Sequence, residues 1–211
     1  MELKHFLTCC ILLITISVKS QVIKIENGIS LSSLNMKEPS QYSSFSENMY
    51  PYQVAIGVDY FSHKWFDLSS NIGYLVKGGK ENEILLVNSA EDEGITGFNL
   101  KVKYLTFNTT FNAKYEFSEK TNIYLGIGPR IDIKIKDGYD FKGHPIIEEE
   151  KLQPNTVIVG LKTVAGIRHQ LNQTLQIGLN FSYLPSFREV YKDLNCKDRT
   201  FTLGISLGYK L

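Results

Sequence analysis

Apolar and polar residues alternate along most of the chain, and the alternation repeats at every second position. A period of two is typical of a β-strand whose two faces meet different surroundings. The last predicted strand is the clearest example, because its apolar residues run at odd positions from Phe201 to Leu211. The pattern predicts eight strands, at residues 23–34, 50–61, 65–78, 98–117, 122–136, 155–169, 174–187 and 199–211.

The connections between these strands alternate between short and long. Tight turns are predicted at residues 62–64, 118–121 and 171–173, and long polar loops at residues 35–49, 79–97, 137–154 and 188–198. Bacterial outer-membrane barrels have an even strand number, short periplasmic turns and long extracellular loops. We therefore expect an all-β fold over residues 21–211, an eight-stranded antiparallel up-and-down transmembrane β-barrel with both termini in the periplasm.

A soluble sandwich or lipocalin-like barrel with an apolar interior is the alternative fold. Several predicted strands exceed the 5–6 residues typical of globular strands, and a tilted membrane strand needs roughly 9–11 residues. Small and amide side chains on the polar faces suit a narrow lumen. Aromatic residues near strand ends are typical of interfacial girdles; they are Tyr50, Tyr52, Trp65, Phe66, Tyr115, Phe117 and Tyr209.

The first twenty residues have the pattern of a secretory signal peptide. Lys4 and His5 precede an apolar run from Phe6 to Val18, and small residues lie three and one positions before Gln21. The run is shorter than the roughly 20 residues of a membrane-spanning helix. We therefore predict a signal peptide at residues 1–20, cleaved after Ser20.

Charge and cysteine content narrow the function classes. The chain has 23 basic and 22 acidic residues, and removal of residues 1–20 leaves equal numbers of each. This balance gives no indication of a nucleic-acid partner. Cys196 is the one cysteine after residue 20, so no intrachain disulfide is expected, and the thiol is predicted to be buried or free.

Charged residues recur on the faces that we expect to point inward, including Glu26 and Asp59. An eight-stranded barrel is just wide enough for its own side chains, and buried charges must pair. We predict a salt-bridged plug with Arg130 and Asp132 near its centre; a gated polar pore is the alternative, which single-channel conductance would distinguish. The predicted network is Asp67, Lys77, Lys114, Arg130, Asp132, Lys134, Lys162 and Arg168.

The positions of the histidines and the lack of catalytic motifs favour a protein that is not an enzyme. A lipid-modifying enzyme at the membrane edge would need a Ser–His pair, but His63 and His169 lie in or beside tight turns, and His144 lies in a long loop. No Gly-x-Ser-x-Gly motif and no His/Cys spacing typical of metal ligands occurs. We therefore predict no catalytic residues, no metal and no cofactor.

Two acidic runs lie in the long loops, at residues 81–93 and 148–150. A solvated loop surface is one interpretation, and a site where divalent cations bridge to lipopolysaccharide or a partner is the other. The acidic residues are Glu81, Glu83, Glu91, Asp92, Glu93, Glu148, Glu149 and Glu150.

Three stretches resemble the PorT-type outer-membrane β-barrels of Bacteroidetes, which are similar in form to the OmpA and OmpX barrels. Residues 70–79 end in the Lys-Gly step of the family's third strand. Residues 104–117 are similar to its Tyr-Leu-x-x-Pro strand, with Asn108 at the usual proline position, and residues 124–130 match its Gly-Pro strand. The Ser-Gln cleavage junction also fits that phylum. The resemblance covers residues 21–211 and implies a fold, because the family is mostly of unknown function; one branch takes part in protein secretion and gliding.

Together these observations predict a non-enzymatic integral outer-membrane barrel with a structural or partner-binding role through its extracellular loops. A small-solute pore or transport component and a membrane-edge lipid-modifying enzyme remain the alternatives. The expected partners are outer-membrane lipid and lipopolysaccharide, the barrel-assembly machinery during insertion, and other envelope proteins.

Overall fold

The computed structural model describes residues 21–36, 47–81, 97–142, 153–191 and 196–211, and they form a closed antiparallel barrel. Each strand pairs with the next, and β8 pairs with β1 to close the sheet. The strands are β1 (Val22–Met36), β2 (Tyr52–Tyr60), β3 (Phe66–Glu81), β4 (Gly97–Ser118), β5 (Thr121–Lys142), β6 (Val157–Gln170), β7 (Leu175–Tyr183) and β8 (Cys196–Lys210). The predicted fold class, strand number and strand order are confirmed.

Several predictions lie wholly or partly outside the described residues. The signal peptide at residues 1–20 and the central parts of all four long loops are among them. So are His144 and the acidic runs, apart from the backbone of Glu81. Cys196 begins β8, but its side chain is not described. In the described residues, no helix combines the length and apolar character required to span a membrane.

The two ends of the barrel differ, and we name them by their connections. The turn end carries the three tight turns and both ends of the described chain, where the Leu211 amide donates a 2.9 Å hydrogen bond to the Gln21 carbonyl oxygen. The Asn172 side-chain oxygen accepts hydrogen bonds from the amides of Thr174 and Leu175 at 2.9 and 2.7 Å, which is typical of asparagine in a tight turn. The loop end carries the four long connections.

The largest differences from the predicted strand bounds are in β5, which is longer, and in β7, which is shorter. β4 and β5 each have 22 residues and pair from the tight turn to Gly97 and Lys142. β7 ends at Tyr183 instead of residue 187, because Pro185 has no amide hydrogen for the ladder. The chain beyond it still follows β6, since the Phe187 amide donates to the Val159 carbonyl oxygen at 2.9 Å.

The outward face of the barrel is an apolar belt that includes residues from all eight strands. Representative residues are Ile25 on β1, Ile56 on β2, Leu125 on β5 and Leu207 on β8, each more than half exposed. Aromatic rings stack across neighbouring strands in this belt, as Phe66 does on Phe111 at 5.3 Å. The inward face carries most of the buried polar and charged residues, so the distribution is the reverse of that in a soluble protein.

At the loop end the interior changes from polar to apolar, which the alternation of the sequence does not predict. Side chains from β1, β3, β4 and β6 and from residues 184–191 are almost completely buried there. They are Leu34, Leu75, Leu100, Val102, Tyr104, Ile158, Leu184, Val190 and Tyr191. The loop end of the lumen therefore contains a packed apolar core, as in an ordinary globular domain.

Candidate functional site

The charged side chains of the interior form two separate clusters. The loop-end cluster is Lys77, Arg130, Asp132 and Asp198. The turn-end cluster is Lys24, Glu26, Asp59, Asp67, Lys114, Lys162 and Arg168. We take these clusters as the candidate functional site, because they decide whether the barrel interior is open or sealed.

Lys77 is the centre of the loop-end cluster. Its Nζ atom lies 2.9 Å from Asp132 Oδ2 and 2.8 Å from Asp198 Oδ2, and it donates a 2.9 Å hydrogen bond to Ser186 Oγ. Two carboxylates therefore neutralise the ammonium group at ion-pair distance, and the Ser186 hydroxyl accepts one of its hydrogens. Because the Lys77 and Asp132 side chains are 0% exposed, bulk solvent does not reach them, and the charges depend on one another for stabilisation.

Arg130 completes the loop-end cluster and joins it to the segment after β7. Its Nε lies 3.2 Å from Asp132 Oδ2, and its Nη2 donates to Ser186 Oγ at 3.0 Å. Gly160 makes this approach possible, because a Cβ atom there would collide with the Pro185 carbonyl oxygen and with the Arg130 guanidinium. Two cations and two carboxylates make the cluster formally neutral.

The turn-end cluster is organised around Lys24 and Arg168. Lys24 Nζ lies 3.2 Å from Glu26 Oε1 and 2.8 Å from Asp59 Oδ1, and it donates to Ser69 Oγ at 2.8 Å. Lys162 lies 3.8 Å from the other oxygen of Glu26. These contacts connect β1 to β2, β3 and β6 across the lumen.

Arg168 holds the other half of this cluster. Its Nη1 donates to Asp67 Oδ2 at 2.6 Å, its Nη2 lies 3.6 Å from Asp59 Oδ2, and its guanidinium lies 4.0 Å from the centre of the Tyr124 ring. Asp67 also accepts from Asn112 Nδ2 at 2.6 Å and lies 3.6 Å from Lys114. Asp67 therefore compensates more than one buried cation.

The structure divides the eight predicted network residues between these two clusters, with one exception. Lys134 lies close to the loop end, where its Nζ pairs with Asp137 at 3.2 Å and its side chain is 24% exposed; it belongs to neither cluster. Arg130 and Asp132 belong to the loop-end cluster, so the single network centred on them is replaced by two networks.

The predicted network omits Lys24, Asp198 and Ser186, and it also omits Glu26 and Asp59, which the sequence places on inward faces. Lys24 shares the inward face of β1 with Glu26, so the alternation itself is enough to identify it. Asp198 falls at the end of a predicted loop. It nevertheless continues the inward-facing series of every second residue that includes the buried Thr200 and Thr202. Ser186 falls inside a predicted strand, and nothing in its sequence context indicates that its hydroxyl turns towards the loop-end cluster.

The histidines of the described residues lie away from both clusters. The His63 ring stacks on Phe66 at 5.4 Å, and His169 Nδ1 lies 2.9 Å from Thr121 Oγ1. Both side chains are exposed near the turn end. Within the part of the chain that the structure describes, no three His, Cys, Asp or Glu residues are grouped in a way that could hold a metal ion.

Comparisons with known proteins agree with this architecture. No protein-family model and no curated protein sequence matches the chain. Among solved structures, Neisserial surface protein A is similar with a TM-score of 0.53 and 12% identity, over 90% of this chain and 97% of that one. Outer membrane protein OprG from Pseudomonas aeruginosa is similar with a TM-score of 0.52 and 10% identity, over 91% and 96%. The chain therefore has the fold of the eight-stranded outer-membrane barrels.

Proposed function

We propose that the protein is a non-enzymatic integral barrel of a bacterial outer membrane, with a sealed interior and a structural or partner-binding role at its loop end. The observation that carries this proposal is the distribution of apolar and charged side chains, which is the reverse of that in a soluble protein. Isoleucine, leucine and aromatic residues are exposed around the whole barrel, while charged residues are buried inside it.

A lipid surrounding accounts for both halves of this distribution. Apolar surface exposed to water costs about 25 cal/mol per Å² relative to burial, and the belt removes this cost if it meets hydrocarbon. The closed barrel also satisfies the backbone groups of every strand, which hydrocarbon cannot do. The tight turns then face the periplasm and the long loops face the cell exterior, as in other barrels of this kind.

The filled interior supports a structural role in preference to a pore. Both charge clusters cross the lumen, and the loop end is closed by an apolar core that includes the fully buried Val190 and Tyr191. None of these observations favours solute transport, and no arrangement of described residues favours lipid-modifying catalysis. A protein partner would then bind at the loop end of the barrel, outside the sealed lumen.

The localisation and the sealed interior are tested together. In the native host, the mature protein is expected in the outer-membrane fraction, and unheated samples should migrate differently from boiled samples in gel electrophoresis, because a closed barrel resists detergent. In planar bilayers, the purified barrel is expected to give no stable conductance. Recovery in a water-soluble fraction would contradict the membrane assignment, and a stable open pore would contradict the sealed interior.

Lipopolysaccharide is the partner that the outer surface supports best. Lys101, Lys103 and Lys136 point outward and are exposed near the loop end of the belt, just beyond Ile133 and Ile135. Lys103 and Lys136 are directly opposite one another on β4 and β5, and like charges in that position repel. Anionic phosphate groups at the membrane surface would relieve this repulsion and bind the three ammonium groups.

Replacement of these three lysines by glutamine is expected to weaken binding of lipopolysaccharide to the purified barrel by roughly tenfold or more, since each surface lysine contributes about 1 kcal/mol. The matched control replaces Lys64, Lys120 and Lys210, which are exposed at the turn end, and should leave binding unchanged. Binding is measured by titration of lipopolysaccharide into the detergent-solubilised protein. Equal binding by both triple variants would contradict the proposed site.

Membership of the PorT-type barrels is a further proposal, supported by the positions of the residues that carry the resemblance. Lys77 of the Lys-Gly step is the centre of the loop-end cluster, and the backbone amide of Gly78 donates to Ser32 Oγ at 3.0 Å. Gly128 and Pro129 precede Arg130 of the same cluster. Lys77, Gly78 and Arg130 of these motifs therefore take part in the contacts that fill the loop end of the lumen. Envelope proteins recovered with the crosslinked barrel would identify the partners, including any link to secretion.

A further inference from the structure

One polar side chain interrupts the apolar belt on β1. Asn27 points outward between Ile25 and Ile29, which are 54% and 52% exposed, and its partners across the sheet are Val54 on β2 and Ile205 on β8. The amide is thus surrounded on all four sides by apolar side chains. A groove of about 710 Å³ passes beside it, lined by Ile25, Asn27, Ile29, Tyr52, Leu179, Leu203 and neighbouring residues.

Two other polar side chains on the outer face, those of Ser70 and Thr163, have hydrogen-bond partners within the barrel. Ser70 Oγ lies 2.9 Å from the Tyr60 hydroxyl and 2.8 Å from Thr109 Oγ1, which gives a chain of three hydroxyls. Thr163 Oγ1 donates to the Tyr183 carbonyl oxygen at 3.3 Å. For the Asn27 amide, by contrast, the described parts of the chain supply no hydrogen-bond partner.

An amide in hydrocarbon without a partner is unfavourable. Its transfer from water to an environment that cannot form hydrogen bonds costs roughly 4–8 kcal/mol, and the Asn27 side chain is too short to reach the membrane surface from the middle of the belt. Lipid tails fill an apolar groove, but they offer no donor and no acceptor. A partner that satisfies this site must bring polar groups into the belt at the depth of Asn27.

We propose that this partner is a second copy of the barrel, bound through the outer face of β1 and β8. A primary amide carries both donors and an acceptor, so two Asn27 side chains related by a two-fold axis can each donate to the oxygen of the other. The same patch then serves both copies, as an isologous interface requires. The apolar residues that line the groove pack around the paired amides and exclude lipid.

The backbone ladder limits how the two copies meet. Asn27 lies within a continuous register with β8, from Val22 opposite Lys210 to Met36 opposite Cys196. The strand edges are therefore already paired, so the second copy cannot add a strand to the sheet. Contact occurs through side chains on the two outer surfaces. This inference rests on the proposed membrane location, since only a lipid environment makes the unpaired amide unfavourable.

The test compares self-association of three proteins in detergent micelles by sedimentation equilibrium. The unaltered mature barrel is expected to dimerise, and Asn27→Leu is expected to weaken the association constant by roughly threefold to thirtyfold. Thr109→Val is the matched control, because it removes an outward polar group whose hydrogen bond is internal, and it should dimerise as the unaltered protein does.

The difference in migration between unheated and boiled samples separates the two ways in which the experiment can fail. A protein that shows no such difference and does not enter micelles contradicts the proposed membrane barrel itself. A correctly folded barrel that is monomeric, or that dimerises equally with leucine at position 27, overturns the dimer inference and leaves the membrane assignment intact.

Discussion

Replacing Lys77 by methionine is expected to lower the free energy of unfolding by about 3–5 kcal/mol, the usual effect of removing one member of a buried ion pair. The ammonium group lies 2.8–2.9 Å from Asp132, Asp198 and Ser186, and the Lys77 side chain is completely buried. After the substitution, two buried carboxylates share Arg130 as their cation. Unfolding by denaturant in micelles is followed through the fluorescence of Trp65, the one tryptophan of the chain.

Two further variants make this prediction specific. Lys103→Met removes an exposed lysine from the outer face of the neighbouring strand β4 and should change stability little. Lys77→Met combined with Asp198→Asn restores the charge balance, because Asp132 keeps its pair with Arg130, and should recover much of the lost stability. If Lys77→Met were as stable as Lys103→Met, the loop-end cluster would not contribute to stability as we infer.

The second large effect is expected from Asp67→Asn at the opposite end of the lumen. The neutral amide cannot compensate Arg168, whose Nη1 lies 2.6 Å from the Asp67 carboxylate, or Lys114 at 3.6 Å. The cluster is then left with four cations and two carboxylates. We expect a loss of about 3 kcal/mol or more in the free energy of unfolding, because the carboxylate and its strongest partner are almost completely buried.

Glu116→Gln is the matched control for this variant. Glu116 lies on the same β4–β5 hairpin that carries Lys114, but its side chain is exposed, so the same chemical change should have little effect there. Both variants are compared by the tryptophan fluorescence measurement. A loss of stability shared equally by Asp67→Asn and Glu116→Gln would show that the turn-end cluster has no special role.

The two clusters provide contacts that the strand order cannot provide. In an up-and-down barrel each strand pairs only with its two neighbours, so distant strands meet only through the lumen. Lys77 joins β3 to β5 and β8, and Arg168 on β6 reaches Asp67 on β3, 101 residues earlier in the chain. The clusters therefore connect strands that are not neighbours in the sheet. Within each cluster, the pairing of opposite charges offsets the cost of burying them.

The bulge in β5 shows how a local irregularity changes the surface. Lys103 pairs with Lys136 while Tyr104 pairs with Lys134, so Ile135 is an extra residue in the ladder. Strict alternation from the inward Lys134 would turn Lys136 inward as well. The bulge instead leaves Lys136 exposed beside Lys103, and the proposed lipopolysaccharide site depends on it.

Strand number, strand order and the direction of most side chains are predictable from the sequence alone. Alternation is a local property of each strand, and tight turns force antiparallel neighbours. The exposed Leu125 and the buried Asp67 can therefore be assigned to opposite faces of the barrel without tertiary information. Four interior charges, Lys24, Glu26, Asp59 and Asp198, are absent from the predicted network, although the alternation along their strands indicates the inward face.

Only the tertiary structure decided which charges meet and where the interior is closed. The position of a residue in the alternation tells whether its side chain points inward or outward. Its partners across the lumen depend on how far the strands are staggered when the barrel closes. That stagger brings Asp198 and Asp132 to the same ammonium group and leaves Lys134 with Asp137. The inward turn of Ser186 and the apolar core at the loop end likewise arise from long-range packing, which alternation along a single strand does not encode.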